Sequence, residues 1–290
     1  MTESPVMFTD NFPRAGFPYS MGRVVLSHED FPVHGHNCLE LCLILGGQGF
    51  HHADGAEYPL VAGDVFVIKE QHIHGFKNTQ RLEMVNIMFQ RELLADTCAY
   101  LPSLPGYHML FDLEPAFRQR HHFSSHLRLD GTALTLVERL LPQMEEEYHR
   151  QASGYESMLV GLFIQLAVLL SRHYAHITAA PSRALLQVDK AISVLESEYT
   201  QRITLEQLAE VTLCSVNSLL RLFKQATGMT PMDYLLRVRL RKASALLTSS
   251  DLSITSIANQ VGFSDGNYFT RQFKQQTGWT PLAYRRNLRG

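Results

Sequence analysis

Cysteine is scarce, and the four present, Cys38, Cys42, Cys98 and Cys214, form neither a CxxC pair nor a dense framework. That excludes a small disulfide-stapled secreted scaffold and leaves reduced thiols as the expectation. Long apolar runs are lacking too. The richest, MLVGLFIQLAVLL from Met158 to Leu170, is interrupted by Gln165 and falls short of the roughly twenty residues that cross a bilayer. The polar opening MTESPVMFTD lacks the charged and apolar regions of an export signal. A cytoplasmic chain without membrane attachment is expected. Net charge is small, −2 over 290 residues, but unevenly spread: 14 Lys and Arg stand against 8 Asp and Glu from Arg183 onward, and 12 against 20 before it. The C-terminal part therefore suits a polyanion, and the acidic part should avoid one. A length of 290 residues with 45% apolar content can cover two cores.

What the chain does contain is a repeat. SVNSLLRLFKQATGMTPMDY (Ser215 to Tyr234) is echoed fifty residues later by DGNYFTRQFKQQTGWTPLAY (Asp265 to Tyr284), matching Asn217 with Asn267, Arg221 with Arg271, Phe223-Lys224 with Phe273-Lys274 and Tyr234 with Tyr284. Two copies make a duplicated domain, because a stacked array needs three or more. Each copy reads as helix-turn-helix. TLEQLAEV opens with a capping box, Thr204 with Gln207. Ser215 caps a second helix whose inward residues are Leu219, Leu222, Phe223 and Ala226; Gly228 closes it, and Thr230-Pro231 start the next. Ile257-Ala258 follows Leu208-Ala209 by 49 residues whereas later pairs are 50 apart, so the second turn is one residue longer.

A short capped helix fits the major groove, where each base pair shows a distinct donor and acceptor pattern. The outward face of the second helix carries Asn217, Leu220, Arg221, Lys224 and Gln225 in one copy and Asn267, Thr270, Arg271, Lys274 and Gln275 in the other. At these residues the C-terminal hundred positions resemble the DNA-binding domain of the AraC/XylS family of bacterial transcription regulators. The resemblance implies that the two units enter successive grooves, separated by a linking helix from Pro231 to Leu247 with Leu236, Leu240, Ala243 and Leu247 inward. At 1.5 Å per residue that helix is roughly 25 Å long, of the order needed to bridge one DNA turn of about 34 Å. It also implies that Asn217, Leu220, Arg221, Asp265, Gly266, Asn267, Thr270 and Arg271 approach bases, although Leu220 and Gly266 can offer only apolar contact or close approach.

From Arg23 to Phe89 short strand-like pieces alternate with turns: RVVLS, LELCLIL, GFHHA, AEYPL, DVFVI and EMVNIMF, with Asp54-Gly55 as a tight hairpin signal. Such spacing predicts a sandwich or small barrel. FPVHGHNCLELCLILGGQG, YPLVAGDVFVI and HIHGF resemble the cupin barrel that forms the sensor half of many AraC/XylS regulators, especially rhamnose-regulator-like members, with Ala62 where proline is usual. Alternation places His34, His36 and Glu40 on one face, and His74 joins them from a neighbouring strand. The sequence leaves two uses open: a polar pocket for an effector, or a divalent metal site. No cofactor is required. His51, His52, His72, His121 and His122 read as surface or structural residues.

Helices are expected over 91–101, 130–149 and 155–176, the last so apolar that it must be buried, under the barrel or also against a second chain. The expected layout is α+β: a cupin-like barrel over 1–125, a helical dimerisation segment over 126–177, a linker over 178–184 around Pro181, and an all-α domain with two helix-turn-helix units over 185–290. The resemblance implies a homodimeric, ligand-responsive transcription regulator that binds promoter half-sites on double-stranded DNA. It further implies a small effector such as a sugar and contact with RNA polymerase. Activation is the first reading and repression the second; a metal-dependent cupin enzyme with a DNA-binding tail is the rival class.

Overall fold

The computed structural model describes residues 6–8, 12–28, 30–53, 55–98, 100–113, 127–175 and 180–289. Two compact units make up the chain, Met1–Leu186 and Gln187–Gly290.

Among the described residues the first unit has eight strands: β1 (Val6–Phe8), β2 (Tyr19–Leu26), β3 (Phe31–His36), β4 (Leu39–Ala53), β5 (Ala56–Val61), β6 (Asp64–Ile68), β7 (His74–Phe89) and β8 (Leu127–Arg128). They form one sheet in the order β1-β3-β7-β4-β6-β8, with β2 also on β7 and β5 also on β4. One edge of β7 is shared, β3 taking its beginning and β2 its end, while β4 runs along the other edge. Register shifts at Gly46 and Gln48 let β4 bend as it follows β7. Two of the expected strands, LELCLIL and GFHHA, are thus one bulged strand, because polar Gly-Gly-Gln is absorbed as irregularity rather than as a turn. The hairpin between β4 and β5 pairs Ala53 with Ala56, and Gly55 takes a positive φ of 78°; Asp54 lies outside the described residues, as do His121 and His122. Cys42, Ile44, Leu60, Phe66, Phe76, Leu82 and Met84 pack as the barrel core.

Against the sheet lie α1 (Arg91–Thr97), α2 (Gly131–Arg150) and α3 (Tyr155–Tyr174). The first ends four residues short of its expected limit at Leu101, where a separate short turn begins. Asp130 caps α2 by accepting from the Ala133 amide at 2.8 Å. Phe163 of α3 seats between Tyr19 and Phe89 of the sheet, with ring centroids 5.7 and 4.7 Å away. Of the two expectations for α3, burial under the barrel accounts for only part of its surface. By length and mean hydropathy (1.3) it could cross a membrane, yet only 39% of that window is buried. Tyr155, Leu159, Phe163, Leu166, Ala167 and Leu170 face inward, whereas Met158 is 54% exposed. Apolar content round a helix does not say how much neighbouring chain exists to cover it.

Helix α4 (Ala180–Ser197) begins inside the stretch expected to be linker, with Pro181 in its first turn where a missing N–H is tolerated. Tyr199 falls beyond its end. Then come α5 (Leu205–Val211), α6 (Val216–Thr227), α7 (Pro231–Ser249), α8 (Ile254–Gln260), α9 (Gly266–Thr277) and α10 (Pro281–Arg289). The capping box is present: Thr204 accepts from the Gln207 amide, and the Gln207 side chain accepts from the Thr204 amide. Such a cap is worth about 1 kcal/mol. The duplication extends to hydrogen bonds. Thr227 and Thr277 donate to the carbonyls of Phe223 and Phe273 at 2.7 and 2.8 Å, and Phe223 and Phe273 meet Tyr234 and Tyr284 edge-on at 5.7 and 5.3 Å. Along α7, Leu235, Val238, Leu240, Ala243 and Leu247 are buried, while Leu236 is only partly so.

Candidate functional site

Both second helices of the repeat bury one face and expose the other. In α6, Leu219, Phe223 and Ala226 are buried, which turns Asn217, Arg221 and Lys224 outward and leaves Leu220 half-buried. In α9, burial of Phe269 and Phe273 exposes Gly266, Asn267, Arg271 and Lys274, with Thr270 half-buried. All ten sequence-derived positions therefore lie on or beside an open face. Two are already engaged: the Asp265 carboxylate accepts from the Asn267 and Tyr268 amides at 2.7 and 3.1 Å as the cap of α9, and the Thr270 hydroxyl donates to the Gly266 carbonyl at 2.9 Å. The sequence reading missed Tyr268, which is 41% exposed and lies under the Arg271 guanidinium at 5.4 Å. Its only signal was the three-residue spacing to Arg271, which puts the two on one side of a helix.

The turns preceding these helices differ as the spacing implied. Cys214 and Phe263 donate backbone hydrogen bonds to the equivalent carbonyls of Ala209 and Ala258 at 3.0 and 2.9 Å. The extra residue falls after Phe263, before the Asp265 cap. A positive φ is needed just before, and Gly262 supplies it at 88° while Leu213 supplies it at 53° in the first copy.

In the barrel, pairing of β3 with β7 sets His34 opposite His74, while Glu40 stands on β4, opposite Met88 near the other end of β7. Ligand-capable atoms of His34, Glu40 and His74 lie within 4.8 Å of one another. His36 stands beside that trio with both ring nitrogens used: Nδ1 donates to the Cys38 carbonyl at 2.7 Å and Nε2 to Glu40 Oε2 at 2.9 Å. His34 Nδ1 donates to the Pro32 carbonyl at 3.0 Å, which directs Nε2 elsewhere. His74 is fully buried, its nitrogens make no hydrogen bond among the described residues, and Nε2 is 3.3 Å from Glu40 Oε2. A polar atom so placed costs about 1–3 kcal/mol.

Charge follows from these contacts. Burial opposes protonation of His36, but the hydrogen bonds to Cys38 and Glu40 outweigh it and push the pKa up to about 10. Burial would raise Glu40, yet the hydrogen bond from His36 and its other imidazole neighbours hold it low. Burial pushes His74 down to about 3 despite the nearby carboxylate. The result is an ion pair, His36 with Glu40, next to a neutral imidazole with lone-pair capacity.

His34, His36 and Glu40 open onto a cavity of about 320 Å³ shared with Ser20, Asn86, Met21, Val24, Phe31 and Met88. Ser20 and Asn86 were not singled out in the sequence, where polar residues inside strand-like runs look like ordinary alternation. His51, read as surface or structural, is 1% exposed, with its ring 5.7 Å from that of His74.

A barrel whose largely apolar cavity carries a few polar groups, on one unit, and a duplicated helix-turn-helix on the other define a ligand-responsive DNA-binding transcription regulator. Comparison with known proteins specifies the class: residues 26–167 match the AraC-like ligand binding domain and residues 208–287 match a helix-turn-helix domain. The chain is 31% identical over 265 residues to the HTH-type transcriptional activator RhaS of Klebsiella pneumoniae, covering 91% of each. It is also 31% identical to the protein of the same name from Citrobacter koseri, covering 90% of this chain and 89% of that one. Among solved structures it is similar to the DNA-binding domain of AdpA in complex with a target DNA (29% identity, 36% of this chain, 93% of that one, TM-score 0.34). A probable AraC family transcriptional regulator from Rhodopseudomonas palustris CGA009 is another (28% identity, 37% and 98%, TM-score 0.34). The chain belongs to the AraC family. The rival reading as an enzyme falls, since these relatives are regulators.

Proposed function

We propose that the protein is a cytoplasmic, homodimeric activator whose barrel binds a small polyhydroxylated effector, a sugar or a close relative. The observation that carries this is the cavity lining. Glu40 and Asn86 offer acceptors, and Asn86 Oδ1 is buried without a hydrogen-bond partner among the described residues. A ligand bearing several hydroxyl donors satisfies both, while Phe31, Met21 and Met88 suit its C–H faces. The relatives named as transcriptional activators support activation here, which requires contact with RNA polymerase. For control, the effector must bind one arrangement of the DNA-binding units more tightly than another.

Base reading in this proposal falls to Asn217, Arg221, Asn267 and Arg271, with Leu220, Gly266 and Thr270 allowing close approach and Lys224 and Lys274 holding phosphates. Arginine pairs bidentately with guanine, and asparagine with adenine.

The barrel trio also suits a divalent ion. His74 Nε2 and Glu40 Oε2 are 3.3 Å apart, and the ligand-capable atoms of all three residues lie within 4.8 Å of one another, with two imidazoles and a carboxylate as the donor set such an ion takes. His34, Glu40 and His74 would hold it, the Pro32 carbonyl would fix the His34 ring, and His36 would orient Glu40. Such an ion would give effector oxygens a further anchor.

Thermal melting of the full chain against a panel of sugars and polyols tests the effector. A ligand at a hundred times its Kd should stabilise by about 2.7 kcal/mol, and Asn86→Leu should erase the shift. A panel that leaves the melting temperature unmoved, or a shift that survives Asn86→Leu, contradicts the cavity as the effector site. Repeating the titration after chelation shows whether an ion takes part.

A further inference from the structure

The two helix-turn-helix units are alike in backbone and unlike beneath their reading arginines. In the second unit four side chains form a continuous chain of contacts. Arg239, on α7, donates to the backbone carbonyls of Tyr199 and Gln201 at 2.6 and 2.7 Å and lies 5.9 Å from the Phe263 ring. Phe263, 5% exposed, lies 6.0 Å from Tyr268, and Tyr268 lies 5.4 Å beneath the Arg271 guanidinium. In the first unit the backbone-equivalent positions of Phe263 and Tyr268 are Cys214 and Ser218, and the Ser218 hydroxyl is taken up by Ser215 at 3.0 Å. No ring underlies Arg221 among the described residues.

We propose that Tyr268 is a positioning residue that fixes Arg271 for base recognition, so that the second unit supplies most of the sequence discrimination and the first supplies mainly grip. An arginine side chain loses much rotamer freedom on docking, and a side chain already held in place loses less. The face of an aromatic ring attracts a guanidinium and leaves its in-plane donors free for a partner. Rooting these contacts in Arg239 and buried Phe263 fixes the ring itself. Asp265 adds to this by holding the Tyr268 amide at 3.1 Å. In the first unit Ser215 holds the Ser218 amide in the same way at 3.2 Å, but with no ring beneath it Arg221 reaches DNA from many rotamers, which suits contact with phosphates along the groove more than selection of one base.

The inference rests on the reading of Arg271 as a base contact, and a double-mutant cycle separates the two. Affinity of the full chain is measured for its operator and for random DNA with Tyr268→Ser, Tyr268→Phe, Arg271→Ala and Tyr268→Ser with Arg271→Ala. Expected is a loss of about 3- to 10-fold in the operator-to-random ratio for Tyr268→Ser. Tyr268→Phe should restore it, random-DNA affinity should stay unchanged, and Tyr268→Ser should add nothing once Arg271 is alanine. If Arg271→Ala lowers the ratio while Tyr268→Ser does not, or if the Tyr268→Ser loss persists beside Arg271→Ala, the positioning role is overturned and the base contact stands. If Arg271→Ala weakens operator and random DNA equally, the base contact itself falls.

Discussion

At the scale of single residues, the two copies of the repeat take the same left-handed turn with different residues, Leu213 and Gly262. Leu213 holds a left-handed φ of 53° and is 84% exposed, so its side chain gains little burial to offset the conformation. Leu213→Gly should stabilise the C-terminal unit by about 0.5–1 kcal/mol, the left-handed cost less the chain entropy of glycine. Gly262→Ala should do the reverse by more, because its added carbon would meet the Tyr199 and Thr200 carbonyl oxygens at 2.8 Å. Urea unfolding of both variants checks this, and a destabilised Leu213→Gly would contradict it. In the barrel unit, Asp112 accepts from His108 at 2.7 Å and pairs with Arg91. Burial would raise its pKa, but His108 and Arg91 outweigh it and hold the carboxyl below its usual range. A depressed folded pKa means stability present above the unfolded value of about 3.9 and lost as pH falls below it. Asp112→Asn should therefore flatten the acid limb of a melting-temperature profile, and an unchanged limb would remove Asp112 from that role. Neither Leu213 nor Asp112 was visible in the sequence. A strained φ leaves no compositional mark when a leucine adopts it, and a carboxylate partner some twenty residues away has no periodic signature.

At the scale of elements, caps and turns were legible because their chemistry is local. Thr204 with Gln207, Ser215, Thr230 with Pro231, and the extra residue before Asp265 all stand where spacing put them. Strand limits were less legible: β4 and β7 run to 15 and 16 residues because each pairs with several partners along its length, a property of the sheet and not of either segment. The trio of His34, Glu40 and His74 could be gathered by alternation and resemblance, but the different engagement of His36 depended on where the Cys38 carbonyl turns. Helix α3 shows the limit most plainly. Its outer positions and Leu136 of α2, 44% exposed, leave an apolar groove of about 250 Å³ lined by Leu129, Ala133, Leu136, Val137, Leu169 and Leu170. We propose this groove as the face that a second copy covers in the homodimer. Leu136→Glu together with Met158→Glu should convert the chain to a monomer in sedimentation with its melting temperature little changed; a dimer that survives would place the interface elsewhere.

At the scale of the whole molecule, the division of labour follows the division of charge. The acidic, sheet-rich unit encloses the cavity, and the basic helical unit carries two exposed helix faces, proposed to read bases, joined by α7. At 1.5 Å per residue, the 19 residues of α7 span about 28 Å, close to the 34 Å turn that separates successive major grooves. That match underlies the proposal that the two units hold successive grooves together. DNase footprinting of the full chain on its promoter tests it most directly. Each subunit should protect two adjacent major-groove segments one helical turn apart on one face of the duplex, and the protection of both should be lost together when α7 is shortened by two residues. Protection confined to a single turn per subunit would contradict it.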